Sequence, residues 1–123
     1  MTFADAGQHC SDLGSALATP ETQAQSDFYA SLVDEFTPIS RSWVGIEKLD
    51  GTWMRDDTMD LTWENWATGK GATGNVAVST TTDLNYEGGP WNGVWEDMTD
   101  DGSRVAHVFC RAFSSLLNKS EPD

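Results

Sequence analysis

The chain has 123 residues and carries 20 Asp and Glu against 7 Lys and Arg, for a formal net charge of −13, and this length suffices for one domain with a core. The charge repels polyanions, so nucleic acid and anionic membranes are excluded as favoured partners, whereas cations, cationic proteins, neutral glycans and calcium mineral surfaces stay open. No stretch reaches the roughly 18 apolar residues of a membrane span, and the opening residues carry no secretion signal.

The first part of the chain predicts two helices. Thr2 is placed to cap the first helix and Gly14 to end it, with apolar residues at spacings of three and four between them: Phe3, Ala6, Cys10, Leu13 and Ala16. A second helix is predicted to begin with Thr19 as its N-cap and Pro20 at its first position. Its predicted buried face consists of Phe28, Leu32, Val33 and Phe36.

The rest of the chain predicts short strands and long loops. Residues 43–46 and 52–54 form a predicted hairpin around an Asp-Gly turn at 50–51. Residues 76–78 form another strand, and residues 83–93 form an irregular loop rich in turn formers. A last hairpin is predicted to join residues 94–98 with residues 105–112. Two helices followed by short strands indicate an α+β fold.

The two cysteines, Cys10 and Cys110, lie near opposite ends of the chain. A disulfide between them would close a loop of about 100 residues and stabilise the fold by about 4 to 5 kcal/mol. Two distant cysteines are equally compatible with buried free thiols in a cytosolic protein. Their spacing alone leaves both interpretations open.

The order of several motifs resembles that of a C-type lectin-like domain over almost the whole chain. The motifs are ADAGQHC at 4–10, which ends at the first cysteine, WVGI at 43–46, GVWEDM at 93–98 and VFC at 108–110, which ends at the second cysteine. The resemblance implies an α+β C-type lectin-like fold, with two helices packed on short antiparallel strands and a long loop region. It also implies a disulfide between Cys10 and Cys110, a domain at 1–113 without the family's first strand, and a tail at 114–123.

The sequence departs from this family at the positions that matter most for ligand binding. The residues at the places of the family's inner disulfide are Asn75 and Asp100. The sugar and calcium motif Glu-Pro-Asn or Gln-Pro-Asp is missing after the Asn-Trp pair at 65–66. Glu96 replaces the Asn of the family's Trp-Asn-Asp strand, whereas Asp97 keeps the acid. These departures argue against the family's usual calcium-bridged sugar binding.

Calcium is nevertheless a candidate ligand, because the loop at 79–93 brings further acids and amides toward the same strand. Calcium takes six to eight oxygen ligands, and the candidate metal ligands are Glu87, Glu96 and Asp97. The alternative is that the acids of this region, Asp83 included, are solvated loop carboxylates. No cofactor is assigned with certainty.

Two tryptophans of this region have different expected roles. The resemblance implies that Trp95 packs into the core beneath the long loop. Trp91, between Pro90 and Asn92, is either an exposed ring that stacks on a sugar or a protein, or a partly buried anchor of its loop.

No catalytic residues are predicted, because the two histidines, His9 and His107, neighbour cysteines that the resemblance pairs in a disulfide. A zinc site from these four residues has poor ligand spacing. We therefore expect an extracellular, non-catalytic recognition domain with a glycan or protein ligand and weak or calcium-independent sugar binding. The candidate ligand-binding residues are Asn85, Glu87, Trp91, Asn92, Glu96 and Asp97. The alternative is an acidic domain that binds a cationic protein or calcium mineral.

Overall fold

The computed structural model describes residues 1–33, 39–57, 59–82, 91–105 and 107–112. Their elements are α1 (Phe3–Asp12), β1 (Ser15–Leu17), α2 (Gln23–Val33), β2 (Ile39–Leu49), β3 (Thr52–Arg55), β4 (Val76–Thr82), β5 (Asn92–Met98) and β6 (Cys110–Ala112). This arrangement confirms the predicted α+β class. In this part of the chain neither helix has the length and apolar character to cross a membrane. The predicted domain end at 113 and the tail at 114–123 lie outside the described residues.

Helix α1 begins where the sequence predicts. The Thr2 hydroxyl accepts a hydrogen bond of 3.1 Å from the backbone N–H of Asp5, which satisfies one of the free amides of the first turn. Of the predicted apolar face, Phe3, Ala6 and Cys10 are buried. Leu13 is 67% exposed, because it follows the last helical residue and is directed away from the core.

Helix α2 begins later than the sequence predicts. Its first turn is capped by Thr22, whose hydroxyl accepts a hydrogen bond from the Gln25 amide. The predicted cap, Thr19, instead donates its hydroxyl to the carbonyl of Gly45 in β2 at 3.1 Å. The prediction of a Thr19 cap is wrong because this hydroxyl is used to join the segment before α2 to the sheet.

The buried face of α2 also differs from the predicted face. Its buried residues are Ser26, Ala30 and Val33, whereas Phe28 is 61% exposed and Leu32 is 48% exposed. The small residues are required because Gly93 of β5 packs directly on Ser26 and Ala30. Of the predicted face only Val33 is buried among the described residues, and Phe36 lies outside them.

The main sheet has four antiparallel strands in the order β3-β2-β4-β5. The predicted hairpin between β2 and β3 is confirmed, and its turn residues Asp50 and Gly51 have φ of 50° and 81°, as a type I′ turn requires. The predicted hairpin between residues 94–98 and 105–112 is wrong. β5 pairs with β4 on one edge, the Trp95 backbone bonds to Asn65 and Ala67 on the other, and residues 110–112 pair with β1 instead.

Strand β6 pairs with β1 in a separate two-stranded sheet. The disulfide between Cys10 and Cys110 joins α1 to β6, which confirms the pairing that the resemblance implies. Both sulfur atoms are consumed in this bond, so neither is a thiolate nucleophile.

The main sheet separates two hydrophobic cores. The helix-side core lies under α1 and contains Phe3, Ala6, Cys10, Leu17, Trp43, Val76, Val78 and Val105. The loop-side core lies on the other face, where Val44, Ile46, Ala77 and Trp95 are covered by Trp53, Leu61, Trp63 and Trp66. The alternation of Val76, Ala77 and Val78 between the two cores follows from the two-residue period of a strand.

Candidate functional site

Four tryptophans hold the long loop against the sheet. Trp95 of β5 is fully buried, at 0% exposure, and both Trp63 and Trp66 meet its ring edge to face, with ring centroids 5.8 Å and 5.6 Å away. Trp53 of β3 packs on Trp66 with centroids 4.9 Å apart. These contacts confirm the predicted structural role of Trp95, and they fix the position of the loop at 61–66 without regular secondary structure.

The backbone of the loop is also bonded to β5. The Trp95 amide donates to the carbonyl of Asn65 at 2.7 Å, and the Ala67 amide donates to the carbonyl of Trp95 at 2.9 Å. The Asn65 side-chain amide donates to the carbonyl of Gly93 at 3.1 Å. The loop therefore extends the sheet past β5 for a few residues.

Asp97 holds the next part of the loop through both of its carboxylate oxygens. Oδ1 accepts the backbone N–H of Gly71 at 2.9 Å, and Oδ2 accepts those of Thr73 and Gly74 at 2.8 Å and 2.6 Å. The Thr73 hydroxyl adds a fourth hydrogen bond, at 3.1 Å. Partial burial acts to raise the pKa of Asp97, but the hydrogen bonds from the backbone amides outweigh it and hold the pKa far below its usual range.

Gly71 permits this arrangement because it has a φ of 101°, and a Cβ there would lie 2.9 Å from the ring of Trp66. The sequence contains a signal for the close approach of this segment to Trp66, since three of the six residues at 69–74 are glycines. The sequence prediction treated the segment only as a loop and missed its role as the partner of Asp97.

Glu96 lies among cations. Its Oε1 accepts a hydrogen bond from the Thr80 hydroxyl at 2.8 Å. Arg41 approaches the same oxygen at 3.8 Å, and Lys70 approaches the other oxygen at 3.9 Å. The Glu96 side chain is 17% exposed, and both cations are 46% exposed. The sequence prediction did not identify Arg41, Lys70 or Thr80 as neighbours of Glu96.

Trp91 is half-buried and borders a groove of about 270 Å³. The groove is lined by Trp66, Ala67, Thr68, Lys70, Trp91 and Val94. The backbone N–H of Trp91 donates to the Thr82 hydroxyl at 2.7 Å, and the backbone carbonyl of Trp91 accepts from the backbone N–H of Thr82 at 3.0 Å. Trp91 is thus partly buried and still lines an open groove, and its role in ligand binding stays a prediction.

The remaining predicted ligand-binding residues lie in different places. Asn92 is exposed, and its side-chain amide donates to Asp27 of α2 at 3.2 Å. Asn85 and Glu87 lie outside the described residues, as does Asp83. The structure thus brings Trp91 and Glu96 to neighbouring surfaces, whereas Asp97 is committed to residues 71–74.

Calcium does not fit the two described carboxylates of the predicted metal site. The oxygens of Asp97 already accept four hydrogen bonds, and Glu96 is flanked by two cations that would repel a metal ion. Within the described ranges, no group of three His, Cys, Asp or Glu side chains could hold a metal ion. Because Glu87 lies outside these ranges, the full set of Glu87, Glu96 and Asp97 stays a prediction.

Asn75 and Asp100, expected at the places of the family's inner disulfide, are in contact. The Asn75 side-chain oxygen accepts a hydrogen bond of 2.8 Å from the Asp100 amide. A hydrogen bond therefore joins the two segments that a disulfide would otherwise join.

Comparisons with known proteins agree with this architecture. The family model described as Lectin C-type domain matches residues 1–106. The carbohydrate-recognition domain of the mouse scavenger receptor C-type lectin superposes with a TM-score of 0.64 at 17% identity, over 89% of this chain and 76% of that chain.

Two further solved structures are similar. The cow CD23 carbohydrate-recognition domain, determined in the presence of a GlcNAc2Man3 oligosaccharide, has a TM-score of 0.67 at 22% identity, covering 89% of this chain and 78% of that one. Human lithostathine has the same TM-score and identity, covering 89% and 79%. No curated protein sequence matches the chain.

Proposed function

The chain belongs to the C-type lectin domain family, whose domains are generally non-catalytic recognition modules, and from this we propose that it is an extracellular domain that binds carbohydrate without a calcium bridge. An extracellular location is supported by the Cys10–Cys110 disulfide, since disulfides persist mainly in oxidising compartments. The similarity to two carbohydrate-recognition domains supports a glycan as the ligand.

The groove beside Trp91 is the observation that carries this proposal. Two tryptophans, Trp66 and Trp91, line it together with Lys70, and the Lys70 ammonium group reaches Glu96. A sugar ring offers an apolar face for stacking on an indole and hydroxyls for hydrogen bonds to charged groups. The groove combines both kinds of contact within one small volume.

The state of Asp97 supports binding without calcium. In the proposed mode the loop beside the groove is held by the hydrogen bonds from Gly71, Thr73 and Gly74 to this carboxylate. A preorganised surface of this kind binds its ligand without the loss of conformational entropy that ordering a loop requires. We expect glycan binding to be unchanged when calcium is removed.

A glycan array tests this proposal, run first with calcium and then with a chelator. We expect binding that survives the chelator. It should fall about tenfold or more in Trp91→Ala, because the sugar ring can no longer stack on the indole of Trp91. The matched control is Phe28→Ala, which removes an exposed aromatic ring from α2, away from the groove. Absence of glycan binding in both conditions, or equal loss in the two variants, contradicts the proposal.

A second function is favoured by the net charge of −13, namely attachment to a cationic protein or a calcium mineral surface. Such binding depends on long-range attraction, which salt screens over about 8 Å at physiological ionic strength. It should weaken as the salt concentration rises and be unaffected by Trp91→Ala. Sugar stacking should show the opposite responses.

A further inference from the structure

We infer that the preferred ligand of the groove is an acidic sugar, one that carries a carboxylate or sulfate group bound by Lys70 and Arg41. This inference rests on the proposed carbohydrate binding and specifies its ligand class. It comes from where this strongly acidic chain places its few cations.

Three of the six Lys and Arg residues in the described ranges are committed to internal contacts. Arg55 is paired with Glu21 and Asp57, and Arg111 is paired with the same Glu21. The Lys48 ammonium donates to the carbonyl of Ala72 at 2.9 Å and lies 5.2 Å from the ring centroid of Trp53. Each of these three cations therefore has a short contact that accounts for its position.

The other three cations line two adjoining grooves. Lys70 lines the groove of Trp91. Arg41 and Arg104 line a second groove of about 260 Å³, together with Val78, Glu96, Asp97, Met98 and Val105. Glu96 lies at the boundary, because Arg41 reaches it from the second groove and Lys70 reaches it from the first.

These cations are held loosely by comparison with the first three. The distances from Glu96 to Arg41 and Lys70, 3.8 Å and 3.9 Å, both exceed the 2.7 to 3.2 Å typical of a hydrogen bond to nitrogen. The Thr80 hydroxyl already occupies one oxygen of Glu96, and both cations stay half-exposed. An anionic group on a ligand can therefore approach either cation at closer range than Glu96 does.

The negative charge of the whole chain does not oppose such a ligand at short range. At physiological ionic strength charges separated by more than about 8 Å are largely screened when exposed. The charged residues that line the two grooves are Lys70, Arg41, Arg104, Glu96 and Asp97, and the charge of Asp97 is met by three backbone amides. Local attraction therefore decides the binding of a single acidic group.

Matched glycans on one array test the inference. Each neutral glycan is printed beside its sialylated and its sulfated counterpart, and binding is measured at 0.15 M salt, on the order of physiological, in the presence of a chelator. We expect at least one acidic counterpart to bind about tenfold more tightly than its neutral parent, a factor equal to about 1.4 kcal/mol. The two acidic arms distinguish a carboxylate from a sulfate as the recognised group.

Charge variants assign the effect to the grooves. Arg41→Gln should lower the affinity for the acidic glycan about three- to tenfold and leave that for its neutral parent within about twofold, because Arg41 lines only the second groove. Lys70→Gln should weaken the binding of both glycans, since Lys70 lines the groove of Trp91, and should weaken that of the acidic one about threefold more. Glu96→Gln should raise the affinity for the acidic glycan, because it removes the competing carboxylate. Arg111→Gln, which changes the net charge equally at a residue that is paired with Glu21 and lines neither groove, is the matched control.

The possible failures are distinguishable. Equal binding of neutral and acidic glycans, with no greater loss of the acidic one in the Arg41 and Lys70 variants, overturns the acidic-ligand inference and leaves the proposed function in place. Loss of acidic binding in Arg111→Gln to the same extent as in Lys70→Gln also overturns it, because net charge would then explain the effect. An array on which no glycan binds overturns the proposed function itself.

Discussion

The helix-side core and the loop-side core lie on opposite faces of one sheet, but different interactions hold them. The helix-side core joins α1 to strands through apolar side chains and the Cys10–Cys110 disulfide. The loop-side core covers the sheet with irregular chain, which has no ladder of backbone hydrogen bonds of its own.

Aromatic packing and one ionised carboxylate replace that ladder on the loop side. The cluster of Trp53, Trp63, Trp66 and Trp95 fixes the loop from below, and Asp97 binds three of its amides. Trp53 adds a hydrogen bond from its indole N–H to the carbonyl of Gly71 at 2.9 Å. The difference between the two cores shows that an irregular loop can be ordered by aromatic packing and by hydrogen bonds to one of the protein's own carboxylates.

The largest effect is expected from the helix-side core. Replacing both cysteines, Cys10→Ala with Cys110→Ala, should lower the free energy of unfolding by about 4 to 5 kcal/mol, because the disulfide restricts the unfolded chain across 100 residues. Denaturant unfolding of the variant and the unreduced parent measures the change. A loss below about 1 kcal/mol would mean that the apolar packing alone holds α1 to β6.

A smaller and local effect is expected from Asp97→Asn. The neutral amide loses charge-assisted hydrogen bonds to Gly71, Thr73 and Gly74, so the free energy of unfolding should fall by about 2 to 3 kcal/mol. Amide hydrogen exchange should quicken at these three residues and stay unchanged in α1. Asp60→Asn, at an exposed acid, is the control and should change stability by no more than about 0.5 kcal/mol.

The pH dependence of the parent protein is a second test of how Asp97 stabilises the loop. Because the folded-state pKa of Asp97 lies below its unfolded-state value, its stabilisation is fully present above about pH 4 and is lost as the pH falls toward the folded-state pKa. Protection of residues 71–74 from exchange should therefore decrease in acid, and the same decrease in Asp97→Asn would contradict this assignment.

The smallest effect is expected at Asp56, which follows β3. Desolvation by the surrounding protein, a hydrogen bond with Glu47 and the negative charges of Glu47 and Asp57 raise the pKa of Asp56 to about 7. Here the folded-state pKa exceeds the unfolded-state value, so stability is lost as the pH rises from about 4 to about 7. Asp56 is an exposed residue, so solvent screens these interactions, and Asp56→Asn should flatten this decline and raise the free energy of unfolding at pH 8 by only about 0.5 kcal/mol. Thermal unfolding at several pH values measures it, and an unchanged pH profile would refute the coupling to Glu47.

Local patterns were sufficient for elements whose residues interact with near neighbours. The cap at Thr2 and the turn at Asp50 and Gly51 depend on a few adjacent residues, and both are found as predicted. The pairing of β6 with β1 depends on residues about 100 positions apart, and the local pattern instead predicted a hairpin with β5. Likewise, the inward face of α2 was assigned to its largest apolar residues, but close contact with Gly93 requires small ones.

The candidate site shows the same division. Trp91, Glu96 and Asp97 could be selected from the sequence because a motif and a turn-rich loop mark them. Their partners could not, because Thr80, Arg41 and Lys70 come from separate segments that only the folded sheet brings to Glu96. The assignment of Asp97 to loop amides likewise required the position of residues 71–74.

The sequence by itself determined the α+β class, the family, the cap of the first helix, the first hairpin and the two residues that form the disulfide. Only the tertiary structure decided which strand closes against β1, which residues of α2 face the sheet, and which charges surround Glu96. The physical reason is that helix caps and turns are set by interactions within a few residues, whereas pairing, burial and charge proximity depend on contacts between segments far apart in the chain.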